Sequence, residues 1–167
     1  MNTDAADWAT FRAQEPDLER DVTHLLTRTA HHVLATLRRD GSPRVSGTEV
    51  QFVGDELVAG CMSGSARAGD IARDGRFALH TNPGEPTMDG GDAKIAGLAE
   101  LHTSGSLLDA LVAQLHADAE HPDPPADAAL VRLRLTQVTH TAIHPDGDRL
   151  VIRTWKPNQG ITTVEQA

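Results

Sequence analysis

The 167-residue chain has little aromatic surface and almost no cysteine: it contains no tyrosine, three phenylalanines, two tryptophans and the single thiol of Cys61. So few aromatic rings make a poor platform for stacking nucleic-acid bases. One cysteine excludes an internal disulfide framework and any zinc site built from several cysteines. Positive charge is also scarce, since 15 Lys and Arg against 24 Asp and Glu give a net charge of −9. This balance argues against broad contact with nucleic acid or with an anionic membrane.

Long apolar runs are missing as well. No stretch approaches the ~20 residues that a membrane-spanning helix needs. The first residues, MNTDAADWATF, lack the basic-then-apolar order of a secretory signal. We therefore expect a cytoplasmic protein without a membrane partner. The length suits one domain over residues 1–167, with a helical segment at 1–30, a β-rich body at 31–160 and a short polar tail at 161–167.

Helical periodicity is strongest near the N-terminus, where we predict a helix ending at Thr29 and interrupted at Pro16. Its apolar stripe consists of Leu18, Val22, Leu25 and Leu26. A second helix is predicted over 66–73 with Ser65 as its N-cap. A third, amphipathic helix begins at Ser106. The intervening segments Asn82–Gly91 and His121–Pro125 are rich in glycine or proline and predict loops.

The rest of the chain predicts six or seven strands joined mainly by hairpins. Asp40-Gly41 suits a type I′ turn and Gly54-Asp55 a type II′ turn. Between them runs a long strand, 43–53, whose apolar residues change parity near Thr48-Glu49, and this predicts a bulge or a bend. Hairpin connections with a bent strand favour a small antiparallel barrel over a parallel βαβ sheet. The fold class is therefore mainly β, with inserted helices.

The segment GCMSGSARAGDIARDGR, residues 60–76, is the best candidate for a binding site. It predicts a strand, a turn of small residues and a helix start that carries Ser63, Ser65 and Arg67. Backbone N–H groups at a helix start, serine hydroxyls and an arginine together suit a phosphate group. The alternative is a surface helix with a solvated Arg67. Arg44, within the long strand two residues before Ser46, would add a second charge if the two hairpins are neighbours.

Other chemistry is less well supported by the sequence. The nine histidines show neither metal-ligand spacing nor an HExxH motif, so no metal site is predicted and surface histidines are expected. No GxSxG motif is present, and Cys61 is expected to be a buried small residue. Glu49 is either an acid or base or an exposed carboxylate. Trp155 either lines an aromatic cofactor or plugs the end of the barrel. No catalytic residue is predicted.

Four runs together resemble the pyridoxamine 5′-phosphate oxidase-like superfamily of flavin- and deazaflavin-binding split barrels. They are VLATLRRDGSPRVSGTEVQF, GSARAGDIARDGRFALH, DAKIAGLAEL and LVIRTWKPNQG, and the resemblance covers about 31–160. It implies a six-stranded antiparallel split barrel that forms a homodimer, with two cofactor sites at the subunit interface. Together with the strand count, the expected architecture is a six- to seven-stranded antiparallel split β-barrel of the FMN-binding type.

The resemblance also implies a set of cofactor-binding residues. The phosphate-binding Ser-Arg-Lys-type motif of the superfamily corresponds to Ser65-Ala66-Arg67, where Ala66 lacks the second charge. The second strand is expected along the ribityl chain, Lys94 near the ring, and Trp155 reaching the site of the partner subunit. The complete expected set is Arg44, Val45, Ser46, Gly47, Met62, Ser63, Ser65, Arg67, Lys94 and Trp155.

The implied function is a flavin-dependent oxidoreductase with FMN as its cofactor and a small-molecule substrate. The C-terminal sequence TWKPNQGITTVEQA has no counterpart of the Arg-x-His-type motif of true pyridoxamine-phosphate oxidases, so that activity is not expected. Two alternatives stay open. One is a deazaflavin-dependent reductase that uses the same cleft, and the other is a non-catalytic protein that binds a flavin or haem.

Overall fold

A computed structural model describes residues 5–82, 88–117 and 124–167. Residues 83–87 of the predicted loop and 121–123 of the predicted proline-rich break lie outside the described residues. Within the described ranges the chain forms four helices: α1 (Trp8–Gln14), α2 (Pro16–Arg28), α3 (Ala66–Arg73) and α4 (Ser106–Ala117). It also forms eight strands: β1 (His31–Leu37), β2 (Pro43–Val53), β3 (Glu56–Met62), β4 (Arg76–His80), β5 (Asp92–His102), β6 (Ala128–Ile143), β7 (Leu150–Lys156) and β8 (Gly160–Gln166).

All strand pairs are antiparallel, and the sheet order is β3-β2-β1-β4-β5-β6-β7-β8. Because β3 also pairs with β6, the first six strands close into a barrel, and β7 and β8 extend from it. The predicted antiparallel barrel is confirmed. The predicted polar tail is wrong, since residues 160–166 form β8 along β7. Nearly all of β8 is exposed. Because neither face needs apolar residues, the sequence lacks the apolar-polar alternation that would predict a strand.

The long strand β2 changes its partner strand part-way along. Its first part pairs with β1 as far as Glu49, and from Val50 onward it pairs with β3. Both registers are continuous along the described strand, so the predicted bulge is wrong, whereas the predicted bend coincides with the change of partner. A register shift occurs instead between β5 and β6, at Ala96/Gly97. A Cβ atom at Gly97 would lie 1.8 Å from the carbonyl oxygen of Arg134, so this close approach requires glycine.

The first hairpin turn also differs from its prediction. A type I′ turn needs positive φ at both central residues, but at Asp40-Gly41 only Gly41 has one, at 83°. The Gly41 N–H donates to the Arg38 carbonyl and the Arg38 N–H to the Ser42 carbonyl. These bonds describe a three-residue loop with glycine at the left-handed position. In the second hairpin Gly54 alone has positive φ, as the predicted type II′ turn requires.

Helices α1 and α2 cover one end of the barrel, with Pro16 at the first turn of α2 as predicted. Trp8, Phe11 and Trp155 are fully buried beneath them, and the Phe11 and Trp155 rings lie 4.8 Å apart. Helix α4 instead packs Leu108 and Leu111 against β2, β3 and β6 in a separate apolar cluster. None of the described helices is both long and apolar enough to cross a membrane.

Candidate functional site

A cavity of about 720 Å³ lies between the β2–β3 hairpin, the start of α3 and one face of α4. The polar part of its wall comes from β2 and from the first turn of α3. The apolar part comes from α4 and the beginning of β6. The α4 side chains in the wall are Leu108, Leu111, Val112 and Leu115. The cavity therefore lies between the apolar face of α4 and polar residues of β2, and such a mixture of apolar and polar walls is typical of small-molecule sites.

One end of the cavity is rich in hydrogen-bond donors because α3 begins there. The Ser65 hydroxyl oxygen accepts the Ala68 N–H at 3.2 Å, which confirms the predicted N-cap. Helix geometry leaves the N–H groups of Ala66 and Arg67 without intrahelical acceptors. The positive end of the helix dipole lies at the same place. This end of the cavity is suited to an anion.

Arg67 carries the charge of this donor-rich end. Its Nη2 donates to the Gly60 carbonyl at 2.8 Å and its Nη1 to the Gly47 carbonyl at 3.3 Å, so it ties α3 to β2 and β3. Arginine has five N–H donors, and three therefore remain for a ligand. Among the described residues no carboxylate lies within ion-pair distance of Arg67. Its positive charge is therefore uncompensated.

Arg44 lines the same cavity but is compensated. Its Nε lies 2.5 Å from Oδ2 of the buried Asp70, on α3. Asp70 also pairs with Arg73 at 3.1 Å and accepts the Thr36 hydroxyl at 3.2 Å. The Arg44 hydrogen bond is the main reason why the pKa of Asp70 lies below its ordinary value. Arg44 and Arg67 do meet in one cavity, yet only Arg67 contributes an unmatched charge.

Farther along β2 the cavity wall presents hydrogen-bond acceptors. The Glu49 carboxylate lies 3.3 Å from His31 Nε2, and both side chains are substantially exposed. The Gln51 Oε1 atom is buried and has no donor among the described residues. Cys61 lies between this region and Arg67, and burial raises the pKa of its thiol. The thiol is therefore protonated near neutral pH, but Cys61 is only half-buried in the cavity wall rather than fully buried as expected.

A family model described as pyridoxamine 5'-phosphate oxidase matches residues 18–142. The chain belongs to this family. The resemblance identified from the sequence is thereby confirmed. A comparison with curated proteins finds no match.

Solved structures with the same fold cover most of the chain. A pyridoxamine 5′-phosphate oxidase-related, FMN-binding protein from Nostoc punctiforme PCC 73102 has a TM-score of 0.63 and 15% identity, covering 97% of this chain and 98% of its own. A heme-binding protein from Mycobacterium smegmatis has a TM-score of 0.59 and 15% identity, with 91% and 88% covered. An F420 reductase has a TM-score of 0.54 and 24% identity, with 68% and 92% covered. At these identities the likeness establishes the shared fold.

The structure brings six of the residues expected from the family resemblance into the cavity wall. They are Arg44, Ser46, Gly47, Met62, Ser65 and Arg67. Ser63 is exposed just outside the wall, and its N–H donates to the Asp127 carbonyl. Val45 is 66% exposed and does not line the cavity, although it lies on the same face of β2 as Gly47.

Lys94 and Trp155 lie away from the cavity. The Lys94 Nζ is 2.6 Å from Asp92 Oδ1, on the outer surface of β5. Trp155 has 0% exposure and donates its Nε1–H to Gln14 Oε1 at 3.0 Å. The expectation that Trp155 covers a cofactor is corrected, because a completely enclosed ring cannot contact a ligand of either subunit. Of the two sequence-based alternatives, the structure supports the plug at the barrel end.

The sequence interpretation missed two components of the cavity, the α4 wall and Gln51, and it named Glu49 without its neighbour His31. The α4 leucines were predicted as an apolar stripe, but their packing partner depends on the barrel closing. Two histidines also differ from the expected surface positions, since His32 and His140 are buried. The missed cavity components and the burial of these two histidines both depend on contacts between distant parts of the chain. The alternation of strand faces, by contrast, does predict that His31 and His32 point in opposite directions.

Among the described residues, the one group with metal-ligand spacing is His144, Asp146 and Asp148 in the β6–β7 turn. Arg149 already lies inside this group: its Nη1 is 2.6 Å from Asp148 and 3.6 Å from Asp146, and its Nη2 is 2.9 Å from the His144 Nε2. The guanidinium supplies the positive charge that the carboxylates need. The group is therefore explained as an ion-pair cluster of the turn.

Proposed function

We propose that this protein binds FMN non-covalently in the cavity and acts as an oxidoreductase. The observation that carries the proposal is the uncompensated Arg67 at the start of α3, at one end of a cavity with an apolar wall. Family membership supports the same conclusion. The surrounding chain has a net charge of −9, so a single local cation with helix N–H groups suits one phosphate group better than a polyanion.

The residues present fit FMN in size and in chemistry. A volume of about 720 Å³ lies within the range of roughly 300–1,000 Å³ that is usual for small-molecule sites. Arg67 and the N–H groups of Ala66 and Arg67 would hold the phosphate, and Ser46 and Gly47 would lie along the ribityl chain. The α4 leucines supply apolar surface for a ring system, and the orphaned Gln51 oxygen supplies an acceptor for a polar ring edge. The flavin itself supplies the electron- or hydride-transfer chemistry.

A deazaflavin in the same cavity is the second candidate. Ala66 occupies the position at which the family motif usually has a second basic residue, and this weakens the case for a tightly held FMN phosphate. An F420 reductase is among the proteins with the same fold. A non-catalytic role in haem binding is the third candidate, since a heme-binding protein also shares the fold. The small-molecule substrate belongs to the same proposal, and pyridoxamine phosphate is not expected to be that substrate.

We also propose that the protein is a homodimer. Directly paired residues of neighbouring strands point to the same side of a sheet, and Val33, His80, Lys94 and Thr139 form such a row across β1, β4, β5 and β6. The same outer face carries Val45 on β2 and Val164 on β8, which are 66% and 57% exposed. Exposed valines on one continuous face favour an interface. Lys94 and Val45 would then lie between subunits, whereas the family resemblance expects them beside the cofactor.

The first experiment is an absorption spectrum of the freshly purified protein, followed by a titration with FMN. An oxidised-flavin spectrum or binding of added FMN supports the proposal. A Soret band would replace it with the haem alternative, and absence of FMN binding together with binding of a deazaflavin would replace it with the second candidate. Light scattering gives the oligomeric state: a dimer is expected, and Val45→Asp should dissociate it. A monomeric wild-type protein would contradict the interface.

The phosphate anchor is tested with Arg67→Ala. Loss of a charge-assisted hydrogen bond should weaken FMN binding by about 1.5–3 kcal/mol, or roughly 10- to 150-fold. Arg67→Lys retains the charge and should retain part of the affinity. Arg20→Ala is the matched control, because Arg20 pairs with Asp17 on the exposed surface of α2, away from the cavity. Unchanged FMN affinity in a folded Arg67→Ala variant would remove the phosphate assignment.

A further inference from the structure

The two ends of the cavity have opposite hydrogen-bonding character. The end at α3 presents donors, whereas the far part of β2 presents the Glu49 carboxylate and the Gln51 amide. Residues 47, 49 and 51 share one face of the strand, since side chains alternate. A rise of about 3.3 Å per residue separates Gly47, which accepts from Arg67, from Gln51 by about 13 Å. A ligand that matches both ends carries an anion at one end and an N–H donor at the other.

Gln51 is the member of this far end that most needs a ligand. Its Oε1 is buried and has no donor among the described residues. A buried carbonyl oxygen without a hydrogen bond is disfavoured, and most such groups in folded proteins are satisfied. Gln14 and Gln137, by comparison, have protein partners for their amides, in Trp155 and Thr139. The Gln51 amide therefore has no structural role that explains it.

Glu49 is a weaker candidate for the same task. Its carboxylate is 46% exposed and already pairs with His31. Water can satisfy it in the absence of any ligand, and solvation reduces what it contributes to selectivity. The Oε1 atom of Gln51 is buried, so a ligand hydrogen bond to this atom supplies a missing partner rather than replacing a water molecule. Glu49 nevertheless keeps this end of the cavity rich in acceptors.

We propose that Gln51 is a specificity-determining residue that accepts a hydrogen bond from a ring N–H of the ligand in this cavity. The proposal rests on the proposed function, because the imide N–H of FMN is the donor that it assigns. The terminal torsion of a glutamine side chain is broad and roughly two-fold, so the amide can rotate at little cost. Rotation would turn Oε1 towards the cavity and the imide N–H of FMN. The Nε2–H group would then lie beside a neighbouring carbonyl of the FMN ring. An amide then pairs with both polar groups of an imide edge.

The experiment compares FMN with its N3-methyl analogue, in which the imide N–H is blocked. Wild-type protein should bind FMN about 10-fold more tightly than the analogue, as expected for one enclosed hydrogen bond. Gln51→Leu should lose most of this difference, chiefly through weaker FMN binding. Gln51→Glu keeps an acceptor and should retain a preference for FMN. Gln114→Leu is the matched control, because Gln114 is exposed on α4 and does not line the cavity.

The outcomes separate the two proposals. If wild-type protein binds FMN and the analogue equally, or if Gln51→Leu keeps the full wild-type preference, the Gln51 assignment is overturned while FMN binding stands. If wild-type protein does not bind FMN, the proposed function fails and this inference fails with it. Thermal unfolding of each variant confirms folding. Gln51→Leu should not lower the melting temperature, because it removes a buried oxygen that lacks a partner in the ligand-free protein.

Discussion

Asp70 is the residue whose replacement most directly tests how the charges beside the cavity are arranged. It is 4% exposed and holds Arg44, Arg73 and the Thr36 hydroxyl on its two carboxylate oxygens. Asp70→Asn keeps the size of the side chain but removes the charge that both guanidiniums share. The buried Thr36 hydroxyl and the two arginines are then held by a weaker, neutral amide.

The expected loss of stability follows from the exposure of the three partners. Breaking a fully buried ion pair costs about 3–5 kcal/mol. The side chains of Arg44 and Arg73 are 27% and 32% exposed, so each can partly rehydrate, and a loss of about 2–3 kcal/mol is expected. In a domain of this size that corresponds to a fall in Tm of roughly 4–12 °C. Urea unfolding at pH 7 measures the free energy directly.

The pH dependence provides a second check on the same group. Because the hydrogen bond from Arg44 lowers the pKa of Asp70 in the folded protein, its contribution is complete above the ordinary carboxyl pKa of 3.8. It is lost as the pH falls through the lowered folded value. The gap between wild-type and Asp70→Asn proteins should therefore be constant near neutral pH and shrink below about pH 4.

Asp17→Asn is the control, since Asp17 pairs with Arg20 on the exposed surface of α2. It should cost no more than a few tenths of a kcal/mol. If Asp70→Asn costs as little as the control at pH 7, the network does not stabilise the protein and the argument is refuted. The freed Arg44 adds positive charge to the cavity, so FMN affinity should stay the same or increase. A large decrease would mean that Asp70 acts on the ligand by another route.

Three further predictions concern groups outside the cavity. Trp155→Phe removes the hydrogen bond to Gln14 and should cost about 1–2 kcal/mol in urea unfolding, while FMN affinity stays unchanged; a selective loss of affinity would restore a cofactor role for Trp155. Gly97→Ala places a Cβ against the Arg134 carbonyl and should lower Tm strongly or prevent folding; a normal Tm would contradict the close approach. Burial lowers the pKa of His32 from its ordinary value of 6.5, so stability should fall as the pH drops below 6.5, and His32→Gln should reduce that dependence.

Local features of the fold could be predicted because a few neighbouring residues determine them. Pro16 at the first turn of α2 and the Ser65 cap of α3 depend only on helix geometry. The position at which β2 changes partner was also visible as a change of parity. Its cause was not, because the change of partner from β1 to β3 depends on how the barrel closes. The strand β8 gave no signal because both of its faces are exposed.

The candidate site was predictable where it depends on one segment and unpredictable where it depends on packing between segments. The family motif placed Ser65 and Arg67 at a helix start, and the structure places them at one end of a cavity. The wall formed by α4 and the enclosure of Gln51 arise only when residues from distant parts of the chain come together. Trp155 illustrates the same limit: the sequence allowed a ligand-facing or a core position, and the contact with Phe11 decides for the core.

Arg44 and Arg67 show why residue type alone does not identify an anion site. Both are arginines beside one cavity, and both make hydrogen bonds to the protein. Arg44 bonds to a buried carboxylate, so its charge is neutralised where it lies. Arg67 bonds to the carbonyl oxygens of Gly47 and Gly60, which orient its guanidinium but carry no net charge to cancel it. An anion entering this cavity is therefore stabilised more by Arg67 than by Arg44. Asp70 causes this difference, because it neutralises Arg44 from a position one helical turn after Arg67 on the buried side of α3.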